Sequence, residues 1–400
     1  MKNSNDSRLR MFVGPEVSLT AIKALGSRVL TKEYGEVIDF QSGCWAAVLG
    51  NNRGEVMEAV KTNGDFLTHL HQFFETEHPH ALVKELIEAT KLKSPYKGTF
   101  LSSGSEAVSL AVKLSEVLTG RTMKLSLSIS YHGASADLRM PRNPQLWTDL
   151  DVISCLNCNK AISCNECGRL SNIDFSQIAS FVFEAGNSGG LVLCPPQKFI
   201  SYLSEEVRAA GGYVIANEVT TGFGRTGKWF GFQHYDYFNS SLTSPDFIAL
   251  GKGLGNGYPI SGLLVSTKLA AAVEASDFRY VQSHIDDPLG CIVARKVVEV
   301  IVKENLIEAS DKMGNYLRQK LREVGELVGG IKEIRGRGMM NVVLLEDPHR
   351  SKEVFKRLLK DGIFTGYSEA HNFIHLYPPL TLTSQEVDAL ASSLQHILAS

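Results

Sequence analysis

Three short apolar runs in the middle of this chain lead directly to residues that can do chemistry. Ser180–Glu184 (SFVFE) ends on the carboxylate of Glu184, and Gly212–Ala216 (GYVIA) is followed by the amide of Asn217. Asp246–Leu250 (DFIAL) is followed by Gly251 and the amine of Lys252, inside GKGLGNGYP. In open sheets of parallel strands, ligands sit beyond the carboxyl ends of the strands. A carboxylate, an amide and an amine are therefore expected to converge at one sheet edge. A lysine among glycines at a strand end is a Schiff-base candidate, because burial lowers its pKa and leaves a neutral nucleophile. An exposed loop lysine is the plain alternative.

Two further stretches could hold a planar, phosphorylated ligand. Ser102–Glu106 (SSGSE) precedes a helix expected over Ala107–Leu118. A small-residue turn opening a helix offers free N–H groups and the positive end of the dipole, which is a phosphate seat. Taken alone, it also reads as an ordinary serine N-cap with an acidic first turn. Tyr131-His132-Gly133 follows a strand expected over Met123–Ser130, and its tyrosine could stack on a flat ring or pack in the core. Four of the seven cysteines, Cys155, Cys158, Cys164 and Cys167, fall in one run, CLNCNKAISCNEC. Paired C-x2-C spacing suits a tetrahedral zinc with no open position, hence a structural one. An iron–sulfur site or free thiols are the alternatives. Cys44, Cys194 and Cys291 are spaced singly and read as core or pocket lining. Reduced cysteines fit a cytoplasmic setting.

The elements that position these residues alternate. Between the runs above, Lys198–Ala210 has helical spacing in Phe199, Tyr202, Leu203 and Val207 and stops at Gly211-Gly212. Gly262–Ser266 is a further strand. Strand–helix–strand order implies a mostly parallel sheet. The tail differs: helices are expected at Pro288–Glu304, Ala309–Val324 and near Gln385–Leu398, with antiparallel strands at Ile331–Arg335, Met340–Leu345 and Phe373–Leu376. Short strands are expected at Arg28–Glu33 and Val37–Phe40, after a polar arm over residues 1–10. The fold class is α/β: a large, mostly parallel sheet domain with helices on both faces, plus a smaller α+β domain. The expected division is an N-terminal segment 1–55 that packs with the small domain, a large domain 56–287 and a small domain 288–400.

Length and composition agree with that picture. The 400 residues are 44% hydrophobic and 21% charged, close to the norm for soluble globular proteins. The formal charge of −2 gives no field favouring nucleic acid or anionic lipid. No run is long and apolar enough to span a membrane, and the polar N-terminus has no apolar core like a signal peptide's. A cytoplasmic enzyme with small-molecule substrates is the expectation.

In order, SGSEA, YHG, Glu184, Asn217-Glu-Val, TGFGRTG (Thr221–Gly227), GKGLGNGYP, RGRGMM (Arg335–Met340) and PPLTLT (Pro378–Thr383) resemble the class III (omega) aminotransferases, pyridoxal-phosphate enzymes of fold type I, over about Val37 to Leu390. The resemblance implies that Lys252 holds pyridoxal 5′-phosphate covalently and shuttles the proton. It places the phosphate on Gly104 and Ser105 beside Ser103, and the ring between Tyr131, next to His132, and Val219. Thr220 stands where the family usually has Gln, near the phenolic oxygen. Ser283 stands where it usually has Thr, donated to the partner subunit's phosphate, which implies a homodimer with a shared site. Trp45 is placed in the substrate pocket. Arg225 either pairs with a substrate carboxylate or fixes its own loop.

The departures bear on mechanism. Glu184 matches, but Ala185 replaces the usual Pro. Asn217 replaces the family's Asp, which pairs with the pyridinium nitrogen so that the ring acts as an electron sink. Glu218 cannot substitute, because neighbouring strand residues face opposite sides. Members that bind an α-carboxylate often have Arg just after YHG; here it is Ala134, with Arg139 and Arg142 as nearby candidates. His71, His78, His80 and His284 read as structural or exposed. The implied activity is amino transfer between an amine or ω-amino acid and a keto acid. An aminomutase or epimerase on the same scaffold is the alternative, and a non-catalytic homologue that binds the cofactor or a metal is another.

Overall fold

The computed structural model describes residues 17–135, 137–156, 158, 164, 168 and 170–400. The polar arm 1–10 and Cys167 lie outside the described residues. Strands β1 (Ala21–Leu25), β2 (Arg28–Thr31) and β3 (Gly35–Asp39) form an antiparallel meander. Strands β4 (Tyr96–Leu101), β5 (Met123–Leu127), β6 (Trp147–Leu150), β7 (Ile178–Phe183), β8 (Tyr213–Asn217), β9 (Phe247–Leu250) and β10 (Ser261–Ser266) make one seven-stranded sheet in the order β4-β10-β9-β8-β7-β5-β6. The five strands from β9 to β6 run parallel, and β10 is antiparallel to both neighbours.

Period-two alternation in the central strands builds two cores. Phe181, Phe183, Val214, Ala216 and Ile248 join a cluster with Phe199, Ile200 and Leu203 of helix Gln197–Ala209. The intervening Val182, Ile215 and Ala249 join a second cluster with Val108, Ala111 and Val112 of helix Gly104–Thr119. Each face of the sheet is thus covered by its own helices, which is why these strands read as continuous apolar runs.

The C-terminal region holds β11 (Ile331–Arg337), β12 (Met340–Leu345), β13 (Ile363–Phe364), β14 (Gly366–Ser368) and β15 (Phe373–Leu376). Four of these form an antiparallel sheet β11-β12-β15-β14, against which helix Leu306–Val328 packs. The fifth, β13, leaves it and pairs in parallel with β3, tying the N-terminal meander to this region. Helix Pro288–Lys303 packs on helices Gly54–Gly64 and Glu77–Thr90.

The sequence reading overlooks β1, β13 and β14 and, in the seven-stranded sheet, β4 and β6, where the reason is local. Gly98 and Lys97 break the apolar run of β4, and β6 (WTDL) is an edge strand with polar residues in its middle. Helix Gly104–Thr119 starts three residues before its expected start. Ser103 accepts the Glu106 N–H on its hydroxyl while the Glu106 carboxylate accepts the Ser103 N–H, a capping box that fixes the first turn. Strand β5 ends at Leu127, so Tyr131 and His132 sit on the following loop. Among the described residues no helix is long and apolar enough to cross a membrane.

Candidate active site

The carboxyl ends of β7, β8 and β9 bring Glu184, Asn217 and Lys252 to one edge, the first two buried and the lysine half-buried. Lys252 takes a left-handed backbone with φ 40°. For a residue with a side chain that conformation is strained and is kept where surrounding structure imposes it. Its Nζ donates to Thr220 Oγ1 at 3.1 Å and lies 5.6 Å from the centre of the Trp45 ring. Burial lowers the lysine's pKa, and the nearby Glu184 carboxylate partly opposes that. Burial pushes the Glu184 carboxyl up to about 7, against N–H groups donated by Tyr131 (2.9 Å) and Ser188. The site therefore holds an amine drawn toward neutrality and a carboxyl poised to change charge near neutral pH.

Beside the lysine, the backbone is pressed against Val219. A Cβ on Gly104 would lie 2.6 Å from Val219 Cγ1, and one on Gly251 would lie 3.2 Å from both Val219 and Gly104. Only glycine fits at Gly104, so the first turn of helix Gly104–Thr119 reaches the strand end closely. The N–H groups of Gly104 and Ser105, at the start of that helix, have no intrahelical partner. The Ser105 hydroxyl accepts the Ala134 N–H at 3.0 Å, and Gly133, at φ 145°, has room for no side chain against it. This packing fixes the Tyr131-His132-Gly133 loop above the helix start.

Asn217 is committed on both sides of its amide. Its Nδ2 donates to the Tyr131 carbonyl at 3.1 Å and lies 3.2 Å from His132 Nδ1, and its Oδ1 accepts the Val219 N–H at 3.2 Å. His132 is buried against Trp147, with Nε2 2.6 Å from the Ser126 hydroxyl. Burial and the Arg142 charge hold this imidazole well below its ordinary pKa. The group across from Asn217 is therefore neutral. Glu218 points the other way, where its carboxylate accepts from Thr221 Oγ1 (2.6 Å), Gly231 N (2.7 Å) and Phe232 N (2.8 Å). It cannot stand in for an aspartate at 217.

Of the two readings of Arg225, its contacts match the one in which it fixes its own surroundings. It is fully buried and donates to the carbonyls of Met339 (3.2 Å), Pro378 and Trp45 (3.4 Å) and to Ser42 Oγ (3.1 Å). What it holds is unusual. Ser42, Gly43, Cys44 and Trp45 all have positive φ, from 40° to 71°. A left-handed turn costs roughly 1–2 kcal/mol for each residue that has a side chain. Asp39 accepts the Gln41 and Gly43 N–H groups from the other side, and Ser42 Oγ donates to the Tyr377 carbonyl. These bonds lay the Trp45 ring beside Lys252. Arg142 is likewise committed, to Asp149 and to the carbonyls of Ser130 and Leu127, whereas Arg139 is exposed.

Two pocket residues escaped the sequence reading. His375 and Tyr377 contact the Trp45 ring, with centroids at 5.8 and 4.7 Å. Tyr377 is fully buried, yet its hydroxyl has no hydrogen-bond partner. Burial lowers His375 to about 4, so it is neutral at working pH. The alternation Phe373, His375, Tyr377 on one strand face was the pattern that could have revealed them. Ser283 is exposed, on the stretch before helix Pro288–Lys303. The zinc expectation finds no support. Among the described residues, Cys155, Cys158 and Cys164 are not gathered into a metal-ligand group, and Cys167 is not among them.

A half-buried lysine thus stands at the carboxyl edge of a mixed seven-stranded α/β sheet, next to the glycine that packs on a helix start. Known proteins agree. The Aminotransferase class-III family matches residues 13–398. An acetylornithine aminotransferase from Methanopyrus kandleri is 29% identical over 396 residues, covering 95% of this chain and 94% of that protein. A leucine/methionine racemase from Thermococcus litoralis is 25% identical, covering 95% and 90%. The crystal structure of an S-selective transaminase from Arthrobacter sp. superposes with a TM-score of 0.87 at 22% identity, over 98% of this chain and 96% of that one. The chain belongs to the class III aminotransferase family and has its fold.

Proposed function

We propose that this chain is a homodimeric, pyridoxal 5′-phosphate-dependent aminotransferase acting on an amine or ω-amino acid and a keto acid. The observation that supports it most is Lys252: half-buried, strained, shifted toward the neutral amine and one residue from Gly251, which packs on Gly104 at the helix start. The residues fit the cofactor. A phosphate suits the N–H groups of Gly104 and Ser105, an aldehyde suits Lys252, and Tyr131 and Val219 offer faces for a flat ring. Pyridoxal phosphate, when bound, supplies an electron sink for the carbon that carries the substrate's amino group.

The chain's own residues do the rest. Lys252 Nζ, drawn toward neutrality by burial and donating to Thr220 Oγ1, is the base that takes the proton from that carbon and returns it. Glu184 supplies a negative charge or a proton near the lysine, according to pH. Trp45, His375 and Tyr377 make an aromatic wall that excludes water. Among the described residues no arginine side chain lies over the Trp45 ring, which favours donors without an α-carboxylate. Ser283 is exposed, as a residue given to a partner's site must be. The β3–β13 pairing supports one unit made of residues 288–400 and the described part, 17–55, of the N-terminal segment. Adding pyridoxal phosphate to the purified protein tests the proposal: it should give a visible band that an amine donor bleaches, and Lys252→Ala should lack it. A Lys252→Ala protein that still shows the band would overturn the assignment.

A second reading, epimerisation with the amino group retained, rests on Asn217, whose neutral amide, unlike an aspartate, would not hold the ring nitrogen protonated, so that the ring would be a weaker electron sink. It requires proton exchange at the substrate carbon without consumption of keto acid. Zinc on Cys155, Cys158, Cys164 and Cys167 is a separate expectation from spacing, read by the zinc-to-protein ratio in wild type against Cys158→Ser.

A further inference from the structure

We propose that Asn256 is a positioning residue that sets where the Trp45 ring stands relative to Lys252, and through that ring how tightly the amine donor is held. Asn256 lies just after Lys252, on the loop GKGLGNGYP. Its side chain ties that loop to a segment more than two hundred residues away in the chain. Asn256 Oδ1 accepts the Leu49 N–H at 2.7 Å, and its Nδ2 donates to the Gly50 carbonyl at 3.0 Å. Both ends of one amide are thus spent on two consecutive residues, which fixes direction as well as distance. Leu49 and Gly50 are buried, and a buried backbone group left without a partner is costly.

Each side of this clip is stiff. On the lysine side, the Gly255 N–H donates to the Lys252 carbonyl at 3.2 Å and the Leu254 N–H to the Gly251 carbonyl at 2.9 Å, so Lys252 and Asn256 belong to one tight turn. On the other side, the Gly50 N–H donates to the Ala47 carbonyl at 3.0 Å, and the Ala46 and Ala47 N–H groups donate to the Ser42 carbonyl at 3.0 and 2.9 Å. Those bonds run from Gly50 back to the left-handed turn that carries Trp45. A Cβ on Gly253 would lie 3.0 Å from Val48 Cγ1, so the two segments are also pressed together. Arg225 braces the Trp45 turn from the C-terminal region, through Met339 and Pro378, whereas Asn256 ties the same segment to the lysine loop. The Trp45 ring stands 5.6 Å from Lys252 Nζ. Where a reaction depends on placement, a shift of about 1 Å can cost on the order of 10²-fold. These residues are buried or half-buried within one chain, so the link does not depend on how a partner subunit sits. The inference rests on the aminotransferase reading for the amine, but not for the position of the ring.

Asn256→Gly is the test variant, because Asn256 takes φ 48°, a conformation that glycine adopts freely. The two side-chain bonds are lost with no backbone strain added. In the full chain without cofactor, the Trp45 emission is read as the difference between each protein and its Trp45→Phe counterpart. It should shift to longer wavelength in the Asn256→Gly background, as the ring leaves Tyr377 and His375 for water, with a cooperative thermal melt as the fold control. With pyridoxal phosphate and an amine, KM for the amine should rise at least about tenfold and kcat should change less, since a wall has moved and the reacting lysine has not. In a Trp45→Ala background the same substitution should leave KM within about twofold, because the ring it positions is gone. An unshifted Trp45 emission would overturn the proposal. So would an equal rise in KM in both backgrounds, which is what a general loosening of the fold gives. A wild-type chain that moves no amino group would instead overturn the aminotransferase reading, and the emission would then decide the role of Asn256 by itself.

Discussion

Replacing Asn217 by Asp tests how the site handles charge. The amide's Nδ2 now donates to the Tyr131 carbonyl at 3.1 Å and faces His132 Nδ1 at 3.2 Å. A carboxylate oxygen in its place would meet one acceptor that cannot change and one that can. His132 can move its proton to Nδ1, since Nε2 can accept from the Ser126 hydroxyl at 2.6 Å. With the cofactor held as proposed, the new charge would face its ring nitrogen. At ~4 Å and an effective dielectric of ~20 such a pair is worth on the order of 4 kcal/mol. If all of that reached the transition state, the rate would rise about a thousandfold. The repulsion from the Tyr131 carbonyl and the burial of a new charge take part of it, so a gain of at least about tenfold is expected. Single-turnover bleaching of the visible band by an amine reads the half-reaction, and thermal melting reads the burial cost as a lower Tm. An Asn217→Asp protein that binds the cofactor and reacts at the wild-type rate would refute the electron-sink reasoning. It would favour chemistry that does not need the charge.

Glu184→Gln should remove an activity inflection near pH 7, because that is where the buried carboxyl titrates. The folded pKa is above the ordinary value, so the folded state binds more protons than the unfolded one between about 4.5 and 7, and wild-type stability falls as pH rises through that window. Melting profiles should show the Gln variant gaining on wild type up to on the order of 3 kcal/mol above pH 7, and parallel profiles would count against the shift. Arg225→Ala should destabilise by about 3–5 kcal/mol in urea unfolding, since it leaves three carbonyls and the Ser42 hydroxyl without their buried donor. It should also raise KM for the amine through loss of the Trp45 turn, and an unchanged KM would separate the turn from the pocket. Tyr377→Phe should leave stability within about 1 kcal/mol, because the hydroxyl it removes has no partner. A change in donor preference under amine competition would show that the hydroxyl meets substrate.

The placement of the candidate site residues was legible where it coincided with local pattern. Continuous apolar runs mark strands buried on both faces, and the residue after each run is set at the sheet's carboxyl edge by chain geometry alone. Lys252, Asn217 and Glu184 were readable for that reason, and Glu218 could be dismissed by alternation. The helix start at Gly104 was readable as a small-residue turn, although its boundary depends on the Ser103–Glu106 box. Tertiary structure decided what no spacing carries. Arg225 became a brace because Ser42, Met339 and Pro378, distant in sequence, converge on it. Tyr377 and His375 entered the pocket because the left-handed turn at Ser42–Trp45 lays an indole against them. Asn256 met Leu49 and Gly50 across more than two hundred residues. Local pattern reports which face of an element a side chain takes. Which other element that face meets is settled only when the layers pack, and there the roles of these residues are made.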